Sequence, residues 1–167
     1  MEKETITLLI GEAFKKIEFV KRYKLLSEKY NEDDYDILLS KVDKKIVLKI
    51  LEDLGYNFMY SSISKDFIYK EQIEDFSFQL NLNFKNGICS QYIGVYYLGN
   101  YIDYVSSNWA FIYRKLVDDI NASITSAKFT TYEELFAISK DILLIFSDFK
   151  NVFMKQVSET DLNPKEV

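Results

Sequence analysis

Histidine is absent from this chain of 167 residues, and cysteine and proline each occur once. Without histidine, the chain cannot assemble a Ser-His-Asp or Cys-His catalytic set, and imidazole metal ligands are excluded. The single cysteine, Cys89, excludes an internal disulfide bond and a thiolate metal cluster. The five glycines are too scattered for a phosphate-binding or dinucleotide-binding loop. We therefore predict a protein that acts by binding, is not an enzyme, and uses neither a metal nor a cofactor.

Long apolar segments and targeting signals are also missing. The longest apolar run in a helical pattern, 142–146, is far too short to span a bilayer. The apolar stretch near the N-terminus follows acidic residues and lacks a cleavage pattern, so we predict no signal peptide and a cytoplasmic protein. The net charge is −5, from 26 acidic and 21 basic residues, which favours neither direct nucleic-acid binding nor a membrane surface.

The remaining composition is that of a folded protein, because 48% of the residues are hydrophobic and 16% are aromatic. The length fits one domain, and no linker or internal repeat divides the chain. We predict a single domain over 1–157 and a flexible C-terminal tail over 158–167, where the only proline occurs.

The clearest pattern lies in 76–98, where apolar and polar residues alternate with the period of a strand that has one buried face. Asn86-Gly87 interrupts the alternation, and this pair favours a two-residue type I′ turn because both central residues must adopt positive φ. The turn fixes the register of the hairpin. The predicted pairs are Phe84 with Cys89, Leu82 with Gln91, Leu80 with Ile93, Phe78 with Val95, and Phe76 with Tyr97. One face of the hairpin is therefore apolar on both strands.

The opposite face of the predicted hairpin carries amides, hydroxyl groups and tyrosines instead of the usual charged side chains. Such groups form many hydrogen bonds, and tyrosine is favoured at protein interfaces. Two interpretations remain open: a polar face that is wet or covered by a loop of the same chain, or a surface that binds a partner. The partner-binding candidates on and beside this face are Gln79, Asn81, Asn83, Tyr92, Tyr96, Tyr101 and Asp103.

Hydrophobic periodicity predicts helices on both sides of the hairpin. The first covers 4–29, where glutamates interleave with lysines and favour a solvated face. The second runs through 38–54 and ends at Gly55. The other two are a helix from 109 to 124 capped by Ser106 or Ser107, and a last helix of about 25 residues that starts with a capping box at Thr131 and Glu134.

Further strands are predicted at 57–62, 67–70 and 101–105, with a tight turn at Gly99-Asn100 before the last of them. Together with the hairpin they form an antiparallel meander of four to five strands. The predicted fold class is therefore α+β, with N-terminal and C-terminal helices flanking the sheet. The apolar stripe of the last helix is broad, so we expect a monomer in which sheet and helix cover it, with a homodimer contact as the alternative.

Two short acidic stretches are further candidates for a partner-binding surface. The first precedes the second helical pattern, and carboxylates in a first turn favour the positive helix end by roughly 0.3 to 1 kcal/mol each. A calcium loop is excluded, because no frame through these acids has glycine at its sixth position and glutamate at its twelfth. Either stretch could meet a basic partner. The stretches comprise Glu32, Asp33, Asp34 and Asp36, and Glu71, Glu74 and Asp75.

The hairpin QLNLNFKNGICSQYIGVYYL, followed by Asn108-Trp109-Ala110-Phe111 at a helix start, resembles in type and layout the immunity partners of contact-dependent growth inhibition toxins. The resemblance covers 56–123 loosely. It implies a bacterial cytoplasmic protein that binds one cognate toxin domain, often a nuclease, and blocks its active site or substrate groove. The acidic stretches would then match a basic groove, and Tyr92, Tyr96 and Tyr101 would serve as anchors.

The alternative function is that of a pocket protein, which binds a small apolar or aromatic ligand between sheet and helices. A large internal cavity would favour this alternative. A well-packed core beneath an exposed surface of tyrosines and amides would favour toxin binding.

Overall fold

The structure is a computed structural model that describes residues 1–104 and 108–162. Within these ranges the chain forms five α-helices and a six-stranded antiparallel sheet, which confirms the predicted α+β class. The helices are α1 (Lys3–Lys16), α2 (Phe19–Lys29), α3 (Lys44–Asp53), α4 (Trp109–Leu116) and α5 (Tyr132–Leu162). The strands are β1 (Met59–Tyr60), β2 (Phe67–Ile73), β3 (Phe76–Asn83), β4 (Ile88–Tyr97), β5 (Asn100–Ile102) and β6 (Ala127–Lys128).

Strands β1 to β5 are neighbours in chain order, so they form the predicted meander. The short strand β6 was not predicted, and it pairs with β4 next to the hairpin turn. Strand β2 is longer than predicted, because its pairing with β3 continues to Ile73 opposite Phe76. The predicted strand over 57–62 is reduced to the two residues of β1.

The register of the central hairpin is confirmed. Phe76 pairs with Tyr97, and the predicted alternation continues to Leu82 opposite Gln91. Asn86 and Gly87 have φ values of 57° and 71°, and the Ile88 N–H donates to the Lys85 carbonyl, as a type I′ turn requires. The second turn lies one residue earlier than predicted, because Leu98 and Gly99 adopt positive φ and Asn100 already belongs to β5.

Helix α5 packs across the apolar face of the hairpin. The Phe153 ring lies 5.1 Å from the Phe76 ring and 5.8 Å from the Phe78 ring, measured between centroids. Helix α1 packs beside α5, where the Phe14 and Phe149 rings stack at 4.3 Å. The core therefore lies between the sheet and a helical layer, and it holds most of the large aromatic side chains.

The predicted single helix over 4–29 is wrong, since α1 ends at Lys16 and α2 begins at Phe19. Glu18 adopts a left-handed conformation with φ of 54°, which interrupts the helix. The break turns the chain and brings the rings of Phe14 and Phe19 edge to face at 5.0 Å. Tertiary packing on both sides of the break therefore outweighs the continuous helical pattern.

The predicted helix through 38–54 also starts later than expected. Its N-cap is Asp43, whose carboxylate accepts the N–H groups of Lys45 and Ile46. Leu38 lies outside the helix, in the core beside Gly87, where a Cβ built on the glycine would lie 2.6 Å from the Leu38 Cβ. The acidic stretch 32–36 therefore does not lie in the first turn of α3; instead Asp34 caps a short 3-10 helix over Tyr35–Ile37 by accepting the Asp36 N–H.

Helix α4 is shorter than predicted. Asn108 caps it by accepting the Ala110 N–H, whereas the predicted caps Ser106 and Ser107 lie outside the described residues, as does Val105. The helix ends at Leu116, and Ile120 is 83% exposed. The helical spacing of apolar residues does not by itself show that the chain turns away from the core after Leu116.

Helix α5 begins where predicted, and the Glu134 N–H donates to the Thr131 hydroxyl at 3.2 Å. The Glu134 carboxylate accepts from the backbone and hydroxyl of Thr130, one residue before the predicted partner. The helix continues to Leu162, past the predicted start of the tail at 158, and residues 163–167 lie outside the described ranges.

Candidate functional site

The polar side of the central hairpin forms the candidate site. Pairing of β3 with β4 sets Asn81 opposite Tyr92, Gln79 opposite Gly94 and Ser77 opposite Tyr96, so one face carries only polar groups and glycine. Strand β5 extends this face, because Tyr101 pairs with Tyr96. We call this surface the tyrosine–amide face and define it as Ser77, Gln79, Asn81, Asn83, Tyr92, Tyr96 and Tyr101 together with Asp66.

A chain of hydrogen bonds holds the amide side chains of the tyrosine–amide face. The Gln79 amide nitrogen donates to Asn81 Oδ1 at 2.7 Å. Asn81 Nδ2 donates to one oxygen of Asp66 at 3.5 Å, and Asn83 Nδ2 donates to the other at 2.8 Å. The three amides therefore orient toward one carboxylate, and the face is preorganised in the absence of a partner.

Asp66 is the site residue that sequence reasoning missed. It immediately precedes β2, where Phe67 pairs with Leu82, so it lies beside Asn83 at the end of the ladder. The alternation in 76–98 does not extend to this residue. Pairing β2 with β3 in register would have found it, because an acid at the start of a neighbouring strand then meets the amide row.

The tyrosines and Gly94 shape a shallow depression in the face, with a volume of about 300 Å³. Tyr92 and Tyr101 are each 42% exposed. The Tyr96 and Tyr101 rings contact each other with centroids 5.4 Å apart. Gly94 forms the floor, since a Cβ added there would lie 3.0 Å from the Tyr96 ring. The depression thus places tyrosine rings around a polar floor.

Charge in the depression comes from one residue. Asp66 is the only ionisable carboxylate among its lining residues, which are otherwise tyrosine, amide, glycine and Ile93. Among the ion pairs of the described residues, none includes Asp66. Among the described residues the Asp66 carboxylate thus has amide partners and no ion pair, although Lys70 lies on the same face opposite Gln79.

The first acidic stretch, 32–36, forms a loop at the turn end of the hairpin. Asp33, Asp34 and Asp36 are exposed there. Lys128 anchors the loop, because its ammonium donates to the Glu32 carbonyl at 2.6 Å and lies over the Tyr35 ring at 4.6 Å.

The second acidic stretch is divided by the sheet. Glu74 and Asp75 are exposed in the turn between β2 and β3, at the other end of β3 from the 32–36 loop and roughly 25 Å away along the strand. Glu71 lies on the apolar side of the sheet, opposite Phe78, and pairs with the buried Lys150 of α5. Glu71 is therefore separated from Glu74 and Asp75, and its carboxylate is paired within the fold.

Burial also shifts the pKa values of two core side chains, Cys89 and Lys150. It raises the pKa of the Cys89 thiol to about 12, so the thiol is protonated and shielded. Burial lowers the pKa of Lys150 from its ordinary value.

In residues 1–104 and 108–160 we find no group of three acidic or cysteine side chains placed to hold a metal ion.

The lysines and glutamates of the first two helices pair along the surface, as in Lys15 with Glu12 at 2.9 Å and Lys24 with Glu28 at 3.7 Å.

In the part of the chain that the structure describes, every helix is too short or too polar to serve as a membrane span.

The structure thus brings together Gln79, Asn81, Asn83, Tyr92, Tyr96 and Tyr101 of the predicted set. Asp103 is exposed just after β5, Glu71 lies on the apolar side of the sheet, and the other predicted acids lie at the two ends of the hairpin. Comparison with known proteins adds no further constraint: no protein-family model, curated protein or solved structure matches this chain.

Proposed function

We propose that this chain is a bacterial immunity protein, which binds one cognate toxin domain in the cytoplasm and blocks that domain's active site or substrate groove. The observation that supports the proposal is the tyrosine–amide face, on which Tyr92 and Tyr101 are exposed and the other side chains half-buried, while the opposite face of the same strands is packed in the core. A sheet face rich in tyrosine and amides has the composition of a protein interface.

The physical basis for tight binding is preorganisation. Asn81 and Asn83 are already fixed by their bonds to Asp66, and Gln79 by its bond to Asn81, so few side chains lose freedom when a partner binds. Tyr92 and Tyr101 offer large rings at a low entropic cost, which is the property of interface anchors. The protein would act as a monomer that presents one rigid surface.

Charge would contribute to the rate of association. The exposed acids of the 32–36 loop and of the turn at 74–75 flank the hairpin at both ends, and the net charge is −5. Toxin domains that cleave nucleic acids carry basic substrate grooves. Long-range attraction would therefore speed the encounter and weaken as salt concentration rises.

The alternative of a ligand pocket between sheet and helices has less support. The space between β3 and α5 is filled by aromatic rings, with centroid separations of 5.1 Å, 5.8 Å and 6.4 Å between facing phenylalanines. A core packed in this way leaves little room for a ligand among the described residues.

The test is to capture the tagged chain at low and high salt from cells that carry its gene, and to analyse the complex by native mass spectrometry. We expect a protein partner at fixed stoichiometry that stops growth when expressed alone and is tolerated when co-expressed with this chain. Capture should weaken at high salt. A retained small molecule without a protein partner, or a partner with no effect on growth, would refute the proposal.

A further inference from the structure

We infer that the depression in the tyrosine–amide face is a receptor for an arginine side chain of the protein partner. This inference rests on the proposed function, since it assigns the chemistry of the group that the toxin domain inserts. The depression is lined by Asp66, Gln79, Asn81, Tyr92, Tyr96 and Tyr101.

The hydrogen-bonding groups that remain unused in the depression favour a ligand that donates hydrogen bonds. An ionised carboxylate has about four acceptor sites, and Asp66 uses one on each oxygen for the amides of Asn81 and Asn83. The Gln79 amide donates inward to Asn81, and within the described residues its carbonyl oxygen accepts no hydrogen bond. The unused capacity is therefore mainly that of acceptors, and a guanidinium group, which has five N–H donors and no acceptor, complements it.

Charge and shape favour a planar cation over other donors. Asp66 has no ion-pair partner among the described residues, so a bound cation would gain a charge-assisted hydrogen bond. The rings of Tyr92, Tyr96 and Tyr101 line the same depression as this carboxylate, and guanidinium stacks on aromatic rings better than ammonium. The absence of a side chain at Gly94 lets the Tyr96 ring lie close to the floor, where a built Cβ would be 3.0 Å from it.

The test uses a small probe in place of the partner. The 15N-labelled full chain is titrated with N-acetyl-arginine amide, and the backbone amide shifts are followed by NMR. The citrulline analogue has the same shape without the charge, and the lysine analogue has the charge without the planar fork. We expect weak saturable binding of the arginine probe, in the millimolar range, with shifts concentrated at the depression.

Variants define the site. We expect Asp66→Asn to weaken binding of the arginine probe by about tenfold or more, because it removes the charge and retains the shape. Glu133→Gln, which changes an exposed acid in the first turn of α5, should leave the binding constant unchanged. Gly94→Ala, which fills the floor and pushes against the Tyr96 ring, should weaken binding without the loss of a charge.

Three outcomes would overturn the inference: equal binding of the citrulline analogue, shifts spread over all surface acids, or unchanged binding by both Asp66→Asn and Gly94→Ala. Each leaves the proposed function standing if a toxic partner is captured and neutralised. Conversely, the arginine probe could bind at the depression while no toxic partner exists. In that case the receptor assignment holds and the proposed function fails.

Discussion

At the scale of single residues, burial sets the chemistry of Cys89 and Tyr23. Both side chains lie in the core, and desolvation raises the pKa of each to about 12. In the case of Tyr23, a hydrogen bond with Ser126 opposes part of this rise. These two groups therefore remain protonated at physiological pH, and they connect stability to pH only in the alkaline range.

The sign of that connection follows from proton binding. Between the ordinary pKa values of these groups and about 12, the folded state holds protons that the unfolded state has lost, so the free energy of unfolding falls as pH rises. We expect urea denaturation to show this fall between about pH 9 and 11. The fall should be shallower in Cys89→Ala, by at most about 1.4 kcal/mol per pH unit. Identical slopes in both proteins would contradict the burial of an ionisable thiol.

A second prediction at this scale compares two glycines that both have positive φ. Gly87 has φ of 71°, and a Cβ there would lie 2.6 Å from Leu38, whereas Gly99 has φ of 80° and no atom within 4 Å of a built Cβ. Each alanine substitution costs about 1–2 kcal/mol for the left-handed backbone. Gly87→Ala should cost about 1–3 kcal/mol more because of overpacking.

Urea denaturation of the two alanine variants measures this difference directly. Equal losses of stability in Gly87→Ala and Gly99→Ala would show that Leu38 does not pack against the hairpin turn.

At the scale of elements, the pair formed by Lys150 and Glu71 links α5 to β2 across an otherwise apolar layer. The Lys150 side chain is buried and lies over the Phe146 ring at 4.9 Å, while Glu71 is partly exposed. A buried ammonium without its carboxylate would be costly. The pair therefore helps to define where α5 rests on the sheet.

Removal of one partner should cost more than removal of both. We expect Glu71→Gln to lower the free energy of unfolding by about 1–3 kcal/mol, because Lys150 is left without a charged partner. The double variant Glu71→Leu/Lys150→Met should recover most of that loss. As a control, Lys49→Met removes two exposed ion pairs on α3 and should scarcely change stability. A double variant that is less stable than Glu71→Gln would contradict this account.

The central hairpin could be predicted from sequence because its information is local. Alternation from Phe76 to Leu82 defines the faces, and Asn86-Gly87 defines the turn, so the register follows. The break at Glu18 could not be predicted, since the helical spacing continues through it and packing of Phe14 against Phe19 decides it. The late start of α3 has a similar cause, as Leu38 leaves the helical pattern to pack beside Gly87.

The candidate site was predictable to the same extent as the hairpin that carries it. The amides and tyrosines of β3 and β4 share a face by strand periodicity alone. The positions of Asp66 and Glu71 depend on how β2 pairs with β3. They could not be predicted because the sequence of β2 shows only a weak alternation, which does not define its register. Spacing in the sequence therefore predicts the face but not the Asp66 carboxylate at its end.

At the scale of the whole molecule, the two faces of the sheet have different roles. One is covered by α5 and holds the fold together, and the other presents preorganised amides and tyrosine rings outward. Exposed acids at both ends of the hairpin add negative charge near this surface, which also carries Lys70 and has Lys85 at its rim. This division is what the proposed binding function requires of a small rigid protein.

The most direct test of the central claim is to measure the dissociation constant of the complex with the captured toxin domain by calorimetry. The double variant Tyr92→Ser/Tyr96→Ser alters the tyrosine–amide face, and Tyr35→Ser alters a tyrosine of the 32–36 loop that is 62% exposed. Circular dichroism first confirms that both variants fold. We expect the double variant to bind about 30-fold more weakly or worse, and Tyr35→Ser to bind like the unmodified chain. Unchanged affinity of the double variant would contradict the account.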